Sequence, residues 1–376
     1  MNYGNQLWRS FQYKESVIAY DRAIELIKKQ PNYSKQDLAK AYYGKGISLK
    51  DLTKWNNDKK IRGEALTEDL EEIKNKALNA FKKATELDEV FYPAWRWKGA
   101  MLYYYLQNPS EALIAYEQAI KINNKDFVLL TERGEVLNNL KRYDEAIASY
   151  DQAIEIKPHT WTYNNRCISY YDSKKYDKAI DSCSKAIEIN PGFQKPYLNR
   201  GNAYSDSKKY EEAIKDYNKA IEIKPDYALA YNNRGNTYYE LKDYQNALAD
   251  YNKAIEINPD YAEAYINRSA VYNRSWDFPK ALDDLNTAIK INDNLGDAYY
   301  NRGILCIKLG KYPEAINDLT KAIEIYPNLP DLYHKRSLAY ILLGNKEKAI
   351  EDYNEAIKLE RIQQEVQNNP QTPPKN

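Results

Sequence analysis

Tyrosine stands at 163, 197, 231, 265, 299 and 333, a constant step of 34 residues. Strict self-similarity at that period means stacked structural units, because no single unit of that size can bury its own apolar face. About 16 residues after each tyrosine comes an alanine (179, 213, 247, 281, 315, 349), and seven further on a second one (186, 220, 254, 288, 322, 356). Pro191, Pro225, Pro259 and Pro327 close four of the units, since the residue before a proline resists helical dihedrals.

Each unit therefore reads as two helices of about 14 residues, with one turn near Lys-Lys-Tyr or Lys-Asp-Tyr and another at the proline. At about 100° per residue, Tyr231, Gly235 and Tyr238 share one face of the first helix. Tyr244, Ala247, Tyr251 and Ala254 form a matching stripe on the second. A small residue opposite a tyrosine lets two helix backbones close on the ring. Cys167, Ser269 and Ser337 occupy the Gly235 slot in their own units.

Helix pairs of 34 residues with Tyr…Gly…Tyr, then Ala…Tyr…Ala and a closing Pro, resemble tetratricopeptide repeats. The resemblance covers nearly the whole chain and implies an all-α, right-handed superhelical solenoid over 1–361, with about nine full repeats and a partial N-terminal one. Leu130, Gly134, Ala146, Tyr150 and Ala153 form an upstream unit, joined to the next by a turn one residue short. Trp95, Gly99, Ala112, Tyr116 and Ala119 form another, with one residue inserted near Asn108 and Pro109.

Tyr42, Gly46 and Leu49 open a unit whose second helix, marked by Ala77, Phe81 and Ala84, arrives late. Leu66, Leu70, Ile73 and Ala77 keep helical spacing through the intervening stretch. The spacing predicts an irregular long helical hairpin at about 48–84, with its tip near 56–60. Gly4, Leu7, Tyr13, Tyr20 and Ala23 fit a first unit whose opening half-helix is missing, as in an oddly capped chain or a piece of something longer. Residues 362–376 read as a helix end to about 367 and a disordered tail, too rich in Pro, Gln and Asn to bury a face.

Catalysis needs converging titratable groups, and the two histidines, His159 and His334, lie on surface positions. No Gly-rich phosphate loop appears, so the expectation is a chain that is not an enzyme and needs no cofactor or metal. Cys167, Cys183 and Cys306 fall in core slots and read as buried free thiols, although the first two lie on paired helices and a bridge between them stays open. An odd cysteine count without Cys-x-x-Cys spacing suggests a reducing compartment. With no apolar run long enough to span a bilayer, the expectation is a soluble cytoplasmic protein. Lys plus Arg is 55 against 54 for Asp plus Glu, which gives no electrostatic pull towards nucleic acid or an anionic membrane.

Arg200, Arg234, Arg268, Arg302 and Arg336 each precede an aspartate by sixteen residues, at 216, 250, 284, 318 and 352. That register predicts a salt bridge between the paired helices, while Arg133 and Arg166 meet Ser149 and Ser182 instead. The arginines are then scaffold, not an anion-binding row.

Opposite the core face stand Asn165, Asn199, Asn233, Asn267 and Asn301, with Asn202, Asn236, Asp172, Asp206 and Glu240 beside them. In tetratricopeptide arrays this side of the first helix lines the concave groove. The resemblance therefore implies a ladder of asparagines, similar to that in the repeat domain of O-linked N-acetylglucosamine transferase, without that enzyme's catalytic domain. Asparagine offers both donor and acceptor and can hold an extended peptide by its backbone. The competing assignment is that these amides bond neighbouring first helices or water.

Arg274 and Lys308 follow the acidic middle of this face, and Ala270, Ile304, Ile307, Leu338 and Ile341 make its later part apolar, open to a partner or covered by the final helix. The clamp that holds heat-shock chaperone tails needs several groove-facing Lys, Asn and Arg residues. Only Lys195 fits, which argues against such an adaptor. The function expected is a non-enzymatic scaffold for an extended peptide or protein segment. The alternatives are a self-associating assembly protein or, disfavoured by the groove carboxylates, an RNA-binding repeat.

Overall fold

The computed structural model describes residues 2–61 and 69–368. It divides into two compact units, 1–203 and 204–376, the boundary falling within the helix Gln194–Asp206. Both are stacks of antiparallel helix pairs, and the chain is an all-α helical-repeat solenoid.

The first unit contains α1 (Asn2–Arg9), α2 (Tyr13–Lys28), α3 (Lys35–Ile61), α4 (Leu70–Leu87), α5 (Tyr92–Ala100), α6 (Pro109–Ile122), α7 (Phe127–Asn139), α8 (Tyr143–Ile156), α9 (Thr160–Asp172) and α10 (Tyr176–Ile189), then α11 (Gln194–Asp206). The second continues with α12 (Tyr210–Ile223), α13 (Ala228–Glu240), α14 (Tyr244–Ile257), α15 (Ala262–Arg274), α16 (Phe278–Ile291), α17 (Gly296–Lys308), α18 (Tyr312–Ile325), α19 (Pro330–Leu343) and α20 (Lys346–Asn368).

The core is the tyrosine and alanine stripe. Tyr150 and Tyr251 are each 1% exposed, and the alanines flanking them are fully buried. A Cβ on Gly235 would stand 2.8 Å from Tyr251 Cε1, so the ring fills the space that the missing side chain leaves. The described turns inside the pairs place one residue in the left-handed region, at Phe11, Gln107, Lys141, Lys174, Lys208, Lys242, Trp276, Gly310 and Gly344. Behind it the helix closes through bonds such as Asp243 N to Tyr238 O, 2.9 Å, which satisfy carbonyls at the helix end.

Two sequence expectations need correction, and one open alternative is decided. Helix α3 runs on through Ile61, past the tip expected near 56–60, so the connection to α4 comes later; Leu66 lies outside the described residues. The extra residue expected near Asn108 is taken up earlier, in a π-helical turn at Met101–Tyr105 that closes through Leu106 N to Met101 O, 3.1 Å. At the far end, α19 and α20 pack as a pair, yet Leu338 and Ile341 stay 42% and 57% exposed. The final helix therefore leaves that apolar stretch uncovered. It ends at Asn368, and the expected tail beyond lies outside the described residues.

Candidate functional site

Arg234, Arg268, Arg302 and Arg336 are held on their aspartates as the spacing predicts. Arg268 donates from Nε and Nη2 to Asp284 at 2.9 and 2.6 Å, and Arg234, Arg302 and Arg336 repeat the fork on Asp250, Asp318 and Asp352. Each Nη1 reaches back to the preceding pair, Arg268 to Asn252 at 2.6 Å and Arg302 to Asn286 at 2.7 Å. That backward arm was missed. Its signal is a second period of 34, with Asn218, Asn252, Asn286 and Thr320 sixteen residues before the arginines.

In the first unit Arg166 donates to Ser182 as expected, at 2.9 Å. Arg133 does not meet Ser149: the serine donates to Leu130 O, and the buried Arg133 Nε has no partner among the described residues.

The cysteine expectation is also corrected. Cys167 and Cys183 are disulfide-bonded, their Cα atoms 5.4 Å apart, while Cys306 is free and buried. The pair occupies the slot where other repeats set a small residue against a tyrosine. With one pair bonded, the cysteine count no longer argues for a reducing compartment. Among the described residues, no helix is long and apolar enough to cross a membrane.

On the groove side the asparagines divide into two roles. Asn199 Nδ2 donates to Asn164 Oδ1, and Asn267 Nδ2 donates to Asn232 Oδ1, both at 2.9 Å. Asn164 and Asn232, absent from the expected row, are buried and tie consecutive first helices together. The half-buried Asn199 and Asn267 thus spend one donor on the scaffold and leave their Oδ1 atoms unbonded among the described residues. The half-buried Asn301 has no such partner, because Ile266 stands where its neighbour's asparagine would be.

Asn165 donates to Glu135 and Asn236 accepts from Tyr251 Oη at 2.8 Å. Asp172 accepts from Asn138 at 3.0 Å. Asn202 and Asn233 lie half-buried on their helices, whereas Asp206 and Glu240 are exposed. In the later groove Arg274 donates to Tyr244 Oη and Lys308 to Asn273 Oδ1, each at 3.0 Å.

The larger concavity lies elsewhere, in the first unit. Trp8, Tyr20, Tyr43, Ile47, Phe91 and Trp97 line a cavity of about 650 Å³. Lys50 sits 4.1 Å from the Trp97 ring centroid. Sequence reasoning passed over it because these aromatics come from the irregular pairs, where no regular register shows which face they take.

Stacked antiparallel helix pairs define a helical-repeat protein. Tetratricopeptide repeat profiles match residues 94–126, 128–159, 160–193, 182–215, 228–261, 296–329 and 330–363, and a TPR repeat profile matches 201–242. The chain belongs to the tetratricopeptide repeat family. Such repeats generally mediate protein–protein interaction, and the chain is an interaction scaffold of that kind.

A TPR repeat-containing protein of Methanocaldococcus jannaschii is 27% identical over 175 residues, which span 41% of this chain and 30% of that protein. The match thus covers less than a third of the relative's length. A tetratricopeptide repeat protein from Parabacteroides merdae superposes with a TM-score of 0.56 at 19% identity, over 66% of this chain and 98% of that one, a likeness of fold. YrrB, described as a TPR protein with an unusual peptide-binding site, is 27% identical with a TM-score of 0.39, over 48% of this chain and 93% of its own.

Proposed function

We propose that the chain is a non-enzymatic scaffold that holds an extended peptide or protein segment along the groove side of its first helices. The observation carrying this is the state of Asn199 and Asn267. Each is fixed by one bond to the preceding repeat and presents an unbonded amide oxygen. A pre-oriented acceptor costs little entropy on binding, and an amide oxygen accepts from the backbone N–H of an extended peptide whatever its side chains.

The test is a peptide array screened with the full chain, followed by affinity measurement on the best binder. Replacing Asn199, Asn233 and Asn267 by Ala is expected to weaken binding at least about tenfold. N-methylation of alternate peptide amides should weaken it similarly. Unchanged affinity in the triple variant overturns the ladder.

A second reading, self-association through the C-terminal pair, is favoured by the exposure of Leu338, Ile341, Leu342 and Leu343. Light scattering over a concentration series separates the two: a monodisperse monomer removes self-association.

A further inference from the structure

Glu135 stands immediately after Gly134, in the register that Asn202 and Asn236 occupy in later repeats. It is a groove-side position that the sequence pattern did not single out. A cavity of about 250 Å³ opens there, lined by Tyr103, Glu135, Asn138, Tyr150, Asn165 and Ile168.

Every hydrogen bond to the Glu135 carboxylate comes from a neutral group. Tyr104 donates to Oε2 and Asn165 donates to Oε1. No cation pairs with it among the described residues. Glu132, one turn earlier on the same helix, is treated differently: Arg96 grips it with two bonds of 2.9 and 2.8 Å. The fold thus supplies a cation to one acid of α7 and withholds it from the other, the one that faces a cavity.

The π-helical turn contributes directly. The extra residue in Met101–Tyr105 comes just where Tyr103 and Tyr104 face α7, so that Tyr104 meets the carboxylate and Tyr103 walls the cavity. Their rings lie 4.8 Å apart, edge to face. A carboxylate has about four acceptor sites, and an aromatic wall attracts a cation through its ring face.

Resting on the groove reading, we infer that this pocket receives the ammonium or guanidinium head of a lysine or arginine carried by the segment in the groove. The bound cation pairs with Glu135 against the Tyr103 wall, with Asp172 at the end of the Asn138 bridge adding negative potential. Burial holds the Glu135 carboxyl above its ordinary range, opposed by the bonds from Tyr104 and Asn165. An unbalanced, half-buried carboxylate of this kind gains most from an arriving cation.

The probes are acetylated, amidated pentapeptides with a central lysine, arginine or norleucine among glycines. They are titrated to millimolar concentration into the full chain, while the side-chain amide signals of Asn165, Asn199 and Asn267 and the Trp161 indole are followed by NMR. The lysine and arginine peptides are expected to shift Asn165 and Trp161 saturably, and the norleucine peptide to leave them in place.

Glu135→Gln, which keeps the size and an acceptor, should weaken the lysine peptide at least about tenfold. Tyr104→Phe, which frees an acceptor site, should leave that affinity intact or tighten it, whereas a purely structural role would weaken it. Equal shifts from norleucine and lysine, no shift from any peptide, or indifference to Glu135→Gln each overturn the pocket. Shifts at Asn199 and Asn267 common to all three peptides would keep the groove reading even then. Shifts confined to Asn165 and Trp161 would keep the pocket and remove the ladder.

Discussion

Arg268 Nη1 donates to Asn252 Oδ1 at 2.6 Å, which ties the first helix of one repeat to the second helix of the repeat before it. The same guanidinium closes its own repeat through Asp284, a carboxylate only 3% exposed. One side chain therefore sets the geometry within a repeat and between repeats. Removing Arg268 strands a buried acid, and Arg268→Ala is expected to destabilise by about 3 kcal/mol. Asn252→Ala removes one charge-assisted bond and should cost about 1–2 kcal/mol. Replacing both members of the buried pair, Arg268→Met with Asp284→Leu, should recover most of the first loss. Urea unfolding of the three variants is the measurement, and a double variant as weak as Arg268→Ala would contradict this account.

Gly235 and Tyr251 form a matched pair, and the next repeat shows the exchange in reverse, with Ser269 opposite Leu285. A Cβ at Gly235 would meet the Tyr251 ring at 2.8 Å and Asp250 Cβ at 3.3 Å. Gly235→Ser should destabilise by about 1–3 kcal/mol through overpacking. Adding Tyr251→Leu to it is expected to return part of that stability, although Tyr251→Leu alone is also destabilising. A strictly additive double variant, read from thermal unfolding, would show that the two side chains do not share the slot.

Much of this was legible because the repeat enforces it. Buried stripes, arginine forks and turns each recur at 34, so one correct assignment fixed its copies. What escaped lay between copies or outside the period. Asn164 and Asn232 sit one residue from the expected row, and only their bonds to Asn199 and Asn267 show that these amides bridge consecutive first helices. The inserted residue was visible in the spacing, but spacing cannot say whether a loop or a π turn absorbs it. Glu135 broke a pattern of asparagines and apolar residues, and its meaning needed Tyr104 and Asn165 beside it. The aromatic cavity around Trp97 arises where the period fails, so no copy existed to compare with.

Cys167 and Cys183 close a loop of sequence separation 16. Such a loop is worth about 3 kcal/mol in the chain-entropy account. Alkylation of the unfolded, unreduced chain should label Cys306 alone, and labelling after reduction should reach all three cysteines, as read by mass spectrometry. Cys167→Ala with Cys183→Ala is expected to lower the unfolding midpoint of the oxidised protein. Three labelled thiols in protein purified under air would contradict the bond.

Glu135 makes a prediction about pH that is separate from any ligand. Burial raises its carboxyl above the ordinary value of about 4.3, with Glu132 adding to the rise and the bonds from Tyr104 and Asn165 opposing it. The folded chain therefore binds this proton more tightly than the unfolded chain does. Its contribution to stability grows as pH falls through the folded value, is complete below the unfolded one, and is smallest at neutral pH. Glu135→Gln is neutral throughout, so it should be more stable than the native chain at pH 7, with the advantage shrinking towards pH 4. Parallel thermal unfolding of the two proteins across that range isolates the residue, because the remaining carboxylates cancel in the difference. A difference that stays constant with pH would mean that Glu135 titrates alike in the folded and unfolded chain, and that burial sets no bias at this position.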